Sequence, residues 1–304
     1  MSLSVIILTY NESKNLSTCL SSLQGLDADI FVVDSGSTDN TVEMAKEAGC
    51  QVFSHPWETY AKQLNWALEN LPLTTPWTVR LDADERMTPE LVAELKHRLP
   101  KAPSSIGGYQ VKRRVFFMGR WIRHGGYYPT WLLRVWRTGY GTCEQLWMDE
   151  HIVLSEGKIA NLQNDIIDEN HKGLTFWTHK HNSYADREVK DALGIQLDEE
   201  KTKRSSDDKR DELLQAHDSS QAGQRRWVKK NLYGRSPLFL RAFIYFLLRY
   251  TVGLGFLDGI EGLIFHFLQG FWYRFLVDAK IYEFRQKQSR DANLSKSIDL
   301  RIQA

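Results

Sequence analysis

Residues 77–85 read Trp-Thr-Val-Arg-Leu-Asp-Ala-Asp-Glu, an apolar segment that ends in three carboxylates within four positions. The apolar part, from Trp77 to Leu81, predicts a buried strand. Clustered carboxylates repel one another and hydrate strongly, so this ending costs free energy unless a cation compensates it. Asp82 and Asp84 flank one residue and point the same way in an extended segment, where they can share Mg²⁺ or Mn²⁺. The alternative is a solvated turn that caps the next helix.

The segments around this stretch alternate between strand and helix patterns. Apolar and β-branched runs predict three earlier strands, at residues 3–8, 30–33 and 51–53. Helical spacing predicts a helix at 60–71, and Thr88-Pro89 supplies a capping hydroxyl and a first-turn proline for another. Strands that alternate with helices imply βαβ units. We therefore predict an α/β fold with a Rossmann-like, mostly parallel sheet.

Polar clusters follow three of these strands, at residues 9–12, 34–37 and 82–84. In open parallel sheets, ligands bind beyond the carboxyl ends of the strands, so the three loops are expected to converge on one edge. The first strand is not followed by the glycine pattern GxGxxG, and GxxxxGK[ST] does not occur in the sequence. Both absences argue against a dinucleotide-binding Rossmann site and a P-loop.

Composition excludes several classes of protein. The net charge of +1 over 304 residues does not indicate a nucleic-acid-binding protein. Cys19, Cys50 and Cys143 are odd in number and far apart, so they predict neither a disulfide framework nor a zinc site. The apolar run at residues 3–8 is too short for a signal peptide and lacks a basic segment before it.

The chain divides into three zones by composition. We expect a catalytic domain at residues 1–197, a charged linker or helical segment at 198–235, and amphipathic, membrane-associating helices at 236–304. Residues 238–257 approach the length of a bilayer span, but two arginines and two glycines interrupt them. We therefore expect helices that lie in the membrane interface. A helical hairpin that packs on the catalytic domain or forms a homo-oligomer is the alternative.

Three blocks of sequence resemble a known family. Ser4-Val-Ile-Ile-Leu-Thr-Tyr-Asn-Glu12, Val32-Val-Asp-Ser-Gly-Ser-Thr-Asp-Asn-Thr41 and Leu81-Asp-Ala-Asp-Glu85 resemble the inverting nucleotide-sugar glycosyltransferases of family 2, which have the GT-A (nucleotide-diphospho-sugar transferase) fold. The order and spacing of these blocks are similar to the family's over roughly residues 1–190. The segment at residues 61–67, Ala-Lys-Gln-Leu-Asn-Trp-Ala, also resembles the family. Within the family, the sequence most resembles enzymes that build lipopolysaccharide core and other bacterial surface glycans.

The resemblance implies a donor site and a metal. It assigns nucleotide-sugar binding to Thr9, Tyr10, Glu12, Asp34, Gln63 and Asp82. Asp84 would hold Mg²⁺ or Mn²⁺ against the donor diphosphate, with Asp82 and His171 as further candidate ligands. UDP is the carrier that the resemblance favours, and GDP, dTDP and ADP-heptose stay open.

Inversion in a single displacement requires a general base near the acceptor hydroxyl. By its similarity to the family, the segment Trp147-Met-Asp-Glu-His151 carries that base, with Glu150 as the first candidate and Asp149 as its rival. Four arginines are expected to make the acceptor loops basic: Arg120, Arg123, Arg134 and Arg137.

The sequence thus predicts an enzyme at a membrane. The acceptor would be a lipid-linked glycan or lipopolysaccharide core, at the cytoplasmic face of the inner membrane, with the protein bound peripherally. Five side chains ahead of the apolar tail would contact anionic headgroups: Arg225, Arg226, Trp227, Lys229 and Lys230. A polyprenyl-phosphate sugar synthase and a non-catalytic nucleotide-sugar-binding scaffold are the alternatives.

Overall fold

The computed structural model describes residues 2–144, 151–193 and 236–302. The first hundred residues form β1 (Leu3–Thr9), α1 (Leu16–Ser21), β2 (Ala28–Asp34), α2 (Thr41–Glu47), β3 (Gln51–Ser54), α3 (Tyr60–Asn70), β4 (Trp77–Asp82), β5 (Glu85–Met87) and α4 (Pro89–Arg98). There follow β6 (Ile106–Phe117), β7 (Arg120–Ile122), β8 (Trp131–Arg137), β9 (Gly141–Cys143), β10 (Ile152–Leu154), β11 (Lys158–Glu169) and α5 (Gly173–Ala192). The C-terminal part contains α6 (Leu240–Leu247), α7 (Gly259–Phe265) and α8 (Tyr273–Ile302).

Local sequence signals account for the early elements. The predicted strands and helices of the first hundred residues are present, with ends shifted by one or two positions. Thr88 caps α4 by accepting a hydrogen bond from the Leu91 amide at 3.2 Å. Gly49 has φ +81°, the left-handed conformation expected of a glycine just beyond a helix.

The main sheet is mixed, so the prediction of a mostly parallel sheet was wrong. Its strand order is β3-β2-β1-β4-β8-β6-β11-β5, and β7 pairs with β6. β1 to β4 pair in parallel, whereas β8 runs antiparallel to both β4 and β6. The helices that connect parallel neighbours end with α4, and short turns join several of the later strands, although β11 still pairs in parallel with β6. The βαβ pattern of the first hundred residues does not extend to them.

Both faces of the sheet are covered, which explains the nearly continuous apolar strands. Val5 and Ile7 of β1 pack on one side with α1 and α4, whereas Ile6 packs on the other with α3. All three side chains have no solvent exposure. The α/β core is therefore a three-layer sandwich that fixes the loops at the carboxyl ends of β1, β2 and β4.

The C-terminal helices pack on the rest of the fold through two apolar clusters. Tyr273, Val277 and Ile281 of α8 contact Ala185 and Val189 of α5. Phe265 of α7 packs against Phe117 and Ile122. Residues 194–235, which include the predicted linker, lie outside the described residues, so the predicted domain boundaries stay predictions.

The described helices include none that by itself has the length and apolar character to cross a membrane. One pair, Leu240–Val252 with Gly255–Arg290, satisfies both requirements when taken together, and the two members are bent by 72°. π-helical turns at Leu248–Val252 and His266–Trp272 and a 3₁₀ turn at Gly255–Asp258 lie within this pair.

Candidate functional site

The loops that follow β1 and β2 are bonded into one unit. Asn11, with φ +52°, accepts hydrogen bonds through Oδ1 from the amide of Thr38 at 2.7 Å and from that of Asp39 at 3.3 Å. The Asn11 amide donates to Ser37 Oγ at 2.8 Å. Tyr10 next to it is 57% exposed. The predicted donor loop therefore has a fixed backbone and one free aromatic ring.

Asp34 organises the second loop. Its carboxylate accepts bonds from the amides of Gly36 and Ser37, from the Ser37 hydroxyl and from Thr9 Oγ1 at 2.9 Å. It is 3% exposed. The two predicted donor residues Thr9 and Asp34 thus contact each other, and both carboxylate oxygens already serve the turn. Hydrogen bonding of Asp34 to a base stays a prediction.

Gln63 supports the same loop from behind. The side chain has no solvent exposure, donates to Ser35 Oγ at 3.0 Å and pairs with His55 Nδ1 at 2.7 Å. His55 in turn stacks on Trp66 with ring centroids 4.4 Å apart. Gln63 therefore holds Ser35 in place, and direct contact with a donor stays a prediction.

The negative charge of Asp82 is compensated by neighbouring side chains of the protein. Tyr60 donates its hydroxyl hydrogen to Asp82 Oδ1 at 2.8 Å, and the guanidinium groups of Arg80 and Arg134 lie 3.4 Å and 3.2 Å from Oδ2. Burial alone would raise the pKa of Asp82, but the two arginines hold it well below its ordinary value. Asp82 is therefore ionised and already paired with cations.

Glu85 is paired with the same Arg134. Arg134 contacts Glu85 Oε1 directly, and the Asp82 amide donates to Glu85 Oε2 at 3.0 Å. Burial raises the pKa of Glu85 to about 7, against the lowering effect of Arg134. Arg134 is 3% exposed, so its prediction as an acceptor-loop arginine was wrong. It lies on β8, which inserts beside β4, and serves the acidic cluster.

Asp84 differs from its two neighbours because no arginine pairs with it among the described residues. Asn170 Nδ2 donates to Asp84 Oδ2 at 2.9 Å, and Lys180 Nζ of α5 lies 3.8 Å from the same oxygen. The Glu169 amide donates to the Asp84 carbonyl at 2.9 Å. The end of β11 therefore fixes the Asp84 turn, and one cation, Lys180, faces its carboxylate.

Lys180 remains charged although it is half-buried. Burial would lower the pKa of Lys180, but Asp84, Tyr184 and Asp168 raise it above its usual value. Asp168 pairs with Arg113 at 3.3 Å, and burial raises its pKa to about 6. Alternating positive and negative side chains thus surround Asp84.

The end of β11 also joins the β1 loop. Lys172 Nζ lies 2.6 Å from Glu12 Oε1, and Asn15 Nδ2 donates to Glu12 Oε2 at 2.7 Å. Burial raises the pKa of Glu12, with Lys172 and Asn15 opposing the rise. The His171 amide donates to Asn15 Oδ1 at 2.8 Å. Glu12, Asp84 and His171 therefore meet at the ends of three strands.

The side chains around Asp84 fit a cation that takes most of its ligands from a substrate. Among the described residues no group of three or more His, Cys, Asp and Glu side chains could hold a metal ion by itself. Asp84 and His171 line one small crevice, with Asn15 and Glu169 beside them. One carboxylate with diphosphate oxygens and water is a usual environment for Mg²⁺. Asp82, paired with two arginines, fits the role of a direct ligand less well.

The candidate bases Glu150 and Asp149 lie outside the described residues. The residues on either side, Glu144 and His151, are joined because the Glu144 amide donates to the His151 carbonyl at 3.0 Å and the His151 amide returns a bond to Glu144 Oε2 at 3.1 Å. Asn65 of α3 exchanges two hydrogen bonds with the backbone of Cys143. The segment that carries the predicted base therefore begins and ends at one anchored point.

Sequence reasoning gave Arg134 a different role and missed four side chains of this site: Tyr60, Asn170, Lys172 and Lys180. Of these, Lys180 lies between His179 and His181, a run of polar residues that is typical of an exposed helix face. His181 instead stacks on Trp177 with ring centroids 3.5 Å apart, and burial lowers its pKa to about 4. A charged residue within an aromatic helix stripe was the available signal for Lys180.

The first half of the chain matches known glycosyltransferases. Residues 4–143 match the family model described as glycosyl transferase family 2. The lipopolysaccharide core biosynthesis glycosyltransferase LpsC of Rhizobium meliloti (strain 1021) is 34% identical over 169 residues, which are 52% of this chain and 59% of LpsC. An uncharacterized glycosyltransferase of Rickettsia prowazekii (strain Madrid E) is 32% identical over 118 residues, 38% of this chain and 40% of its own. This chain therefore covers less than two thirds of these relatives.

Solved structures with some likeness include residues 1–349 of Staphylococcus aureus TarS, with a TM-score of 0.42 and 15% identity over 94% of this chain and 92% of that one. Glucosyl-3-phosphoglycerate synthase from Mycobacterium tuberculosis, crystallised with Mn²⁺, UDP and glucosyl-3-phosphoglycerate, has a TM-score of 0.31 and 25% identity over 38% of this chain and 44% of its own.

Proposed function

We propose that this chain transfers a sugar from a nucleotide-diphosphate donor to a lipid-linked glycan or lipopolysaccharide-core acceptor, because residues 4–143 match glycosyl transferase family 2. UDP is the proposed carrier. One observation carries the proposal: Asp84 faces Asn170 and Lys180 at the same edge where Lys172 contacts Glu12. This edge lies beyond the carboxyl ends of parallel strands, where ligands of α/β sheets bind.

The charge pattern of this edge suits a diphosphate. Lys172 and Lys180 supply positive charge, and Asp84 supplies a hard oxygen ligand for Mg²⁺ or Mn²⁺. When bound, such an ion would compensate the charge that develops on the leaving diphosphate. Arg80 and Arg134 keep Asp82 ionised within the cluster, and Asn170 fixes the orientation of the Asp84 carboxylate.

Transfer with inversion in a single displacement requires removal of a proton from the acceptor hydroxyl. We assign this role to Glu150, with Asp149 as the alternative. The adjoining Glu144 and His151 bond each other and hold both ends of the segment together.

We place the enzyme at the cytoplasmic face of the inner membrane, bound peripherally, because its proposed acceptor is attached to a lipid. The basic residues Arg225, Arg226, Lys229 and Lys230, with Trp227, would contact anionic headgroups. They lie outside the described residues. Homo-oligomerisation through the C-terminal helices is the competing role for that region.

A lipid phosphate acceptor, as in a polyprenyl-phosphate sugar synthase, is the second candidate. The exposed apolar side chains of α6 and α7 favour a lipid substrate of either kind. A phosphate acceptor is already ionised and requires no base, so Glu150→Gln would leave its transfer intact. Loss of transfer in that variant supports a hydroxyl acceptor.

A panel of nucleotide sugars, tested for thermal stabilisation with Mn²⁺ and with EDTA, examines the donor site. We expect one nucleotide to stabilise the protein and chelation to abolish the effect, since ligands that bind only the folded state raise its stability. Asp84→Ala should lose this stabilisation and transfer together, with an unchanged circular dichroism spectrum. If no nucleotide sugar stabilises the wild-type protein under either condition, the proposed function is wrong. Donor binding without transfer to membrane extract would indicate a non-catalytic scaffold.

A further inference from the structure

The C-terminal helices have an inverted distribution of polar and apolar side chains. Of the eighteen large apolar side chains that are exposed in the described chain, fourteen lie between Leu240 and Tyr282. All seven Asp, Glu, Arg and His residues from Leu240 to Asp278 are buried or half-buried. A helix on the surface of a water-soluble domain normally shows the reverse arrangement.

The charges of this region are paired on its inner side. Arg241 is 8% exposed and contacts Asp278, which has no exposure and also accepts a bond from the Phe239 amide at 2.7 Å. Arg274 lies 2.6 Å from Glu188 of α5. The ionic groups therefore hold the helices to one another and to α5, and they leave the outer surface without charge.

The outer surface is centred on the bend between α6 and α7. We define the insertion face as Leu248, Val252, Leu254, Phe256, Leu257 and Ile260, whose exposed fractions range from 47% to 73%. A contiguous apolar surface of this kind marks contact with a partner or a membrane. Val252, at 73%, is the most exposed of the fourteen.

The bend is built into the packing rather than left as a hinge. A Cβ on Gly253 would meet the Arg249 carbonyl oxygen at 2.7 Å, and one on Gly255 would meet His266 Nε2 at 2.6 Å. Leu254 between them has φ +60°, a backbone conformation that residues other than glycine rarely adopt. The two arms of the helix pair therefore present the insertion face at a fixed angle of 72°.

The same bend is attached to the loop after β7. Gly125 donates its amide hydrogen to the Gly253 carbonyl at 2.7 Å, and Arg249 Nε donates to the Gly125 carbonyl at 2.5 Å. His124 is bonded to Asp258 through its amide at 2.9 Å and through Nδ1 at 2.6 Å. The loop at residues 123–127 is thus held directly beneath the insertion face.

From this arrangement we propose that the insertion face enters one leaflet of an anionic bilayer and does not cross it, so that the protein is monotopic. Charge complementarity favours a membrane over a second copy of this chain. The sequence just before Ser236 carries five basic residues that would attract anionic headgroups: Arg225, Arg226, Lys229, Lys230 and Arg235. A dimer interface has a polar rim, and the insertion face has no charged residue within it.

This inference deepens the membrane location of the proposed function and is independent of the sugar transferred. It assigns the contact to named side chains. It also positions the loop at residues 123–127, with Arg123, at the depth of the headgroups. An acceptor anchored in the same leaflet would then reach the catalytic domain from that side.

An environment-sensitive fluorophore on an introduced cysteine tests insertion directly. The three native cysteines are buried, so NBD attached at Phe256→Cys would report that site alone. With vesicles of phosphatidylglycerol and phosphatidylethanolamine we expect a blue shift and a rise in emission, and the same label at Glu47→Cys on α2 should show neither. An unchanged spectrum at Phe256→Cys with these vesicles would overturn the proposal.

Paired variants separate insertion from general electrostatics. Phe256→Asp with Ile260→Asp should lower the vesicle partition constant by about tenfold or more, because a buried carboxylate in a bilayer is costly. Gln24→Asp with Gln51→Asp adds the same charge on exposed positions of the catalytic domain and should leave partitioning within about twofold, since a distant charge is screened. Equal partitioning of both double variants would contradict insertion.

Measurement of nucleotide-sugar binding in the same variants distinguishes failure of membrane insertion from failure of the proposed function. The Asp variants at residues 256 and 260 should retain nucleotide-sugar stabilisation in solution, because they lie outside the donor edge. A concentration-dependent doubling of mass by light scattering without vesicles, lost in the same variant, would assign the face to a second copy and overturn the proposal. Failure of nucleotide binding in wild type would leave the vesicle result standing.

Discussion

Arg134 of β8 contacts Glu85 inside the sheet, and the two side chains are 4% and 1% exposed. The same guanidinium reaches Asp82 at 3.2 Å. Two of the three carboxylates that end the β4 segment are therefore compensated by arginines of the chain, and Asp84 remains to face the ligand edge. The fold separates a structural half of the acidic cluster from a functional half.

Arg134→Met should lower the free energy of unfolding by about 3–5 kcal/mol, because removal of one partner leaves a buried carboxylate uncompensated. Urea unfolding followed by circular dichroism measures the change. The double variant with Glu85→Gln should recover part of the loss. Lys287→Met, which removes a pair whose side chains are 67% and 63% exposed, is the control and should cost less than about 1 kcal/mol. Equal effects at Arg134 and Lys287 would contradict the assignment.

Lys180→Met should strengthen the binding of Mn²⁺ to the nucleotide-free protein and weaken the binding of the nucleoside diphosphate. The ammonium lies 3.8 Å from Asp84 Oδ2 and opposes a second cation there, whereas it attracts phosphate. Electron paramagnetic resonance of free Mn²⁺ and calorimetry with UDP measure the two affinities. Lys180→Arg keeps the charge and should resemble wild type in Mn²⁺ affinity. Unchanged Mn²⁺ affinity in Lys180→Met would show that the lysine does not act on the metal site.

Glu150→Gln should reduce turnover by about a hundredfold or more, the usual contribution of a general base. Donor stabilisation in the thermal assay should persist, since the base acts on the acceptor. Asp149→Asn is the matched variant one position away and should keep most of the turnover. The reverse pattern would transfer the role to Asp149, and full turnover in both would remove the base from this segment.

Acid should destabilise the fold through His266. The side chain is 1% exposed, and burial lowers its pKa to about 4 from the ordinary value of 6.5. Between these two pH values the unfolded chain binds more protons than the folded chain. Stability contributed by the neutral ring is thus complete above pH 6.5 and is lost as the pH falls toward 4.

The expected loss across this window is up to about 3 kcal/mol. Urea unfolding at several pH values between 7 and 4 measures it. His266→Gln should be less stable at pH 7 but show a smaller loss over the same window. Glu85 and Asp168, whose pKa values are raised, contribute in the opposite sense over this window in both proteins, so the difference between them isolates His266. An equal change of stability with pH in wild type and His266→Gln would contradict a neutral, buried His266.

The early strands and the loops after them could be predicted because their signals are local. The apolar run of β1 and the Thr88-Pro89 start of α4 each depend on neighbours a few positions away. Asp82 and Asp84 were found for the same reason, since a carboxylate cluster after a strand is visible within five residues. The convergence of these loops followed from the general rule for parallel strands.

The partners of those carboxylates could not be predicted because they depend on pairings far apart in sequence. Arg134 reaches Glu85 only because β8 runs antiparallel to β4, with Val79 opposite Val135. The mostly parallel sheet expected from the first hundred residues does not contain that neighbour. Lys180 reaches Asp84 across almost a hundred positions for a similar reason.

Helix α5 spans twenty residues and connects two distant regions of the molecule. Near its middle, Lys180 faces Asp84, and nearer its end, Glu188 contacts Tyr273 and Arg274 of α8. The eight residues from one contact to the other correspond to about 12 Å of helix. Because a helix of this length is stiff, a displacement of the C-terminal helices at Glu188 would also displace the ammonium beside Asp84 and change the electric field at that carboxylate.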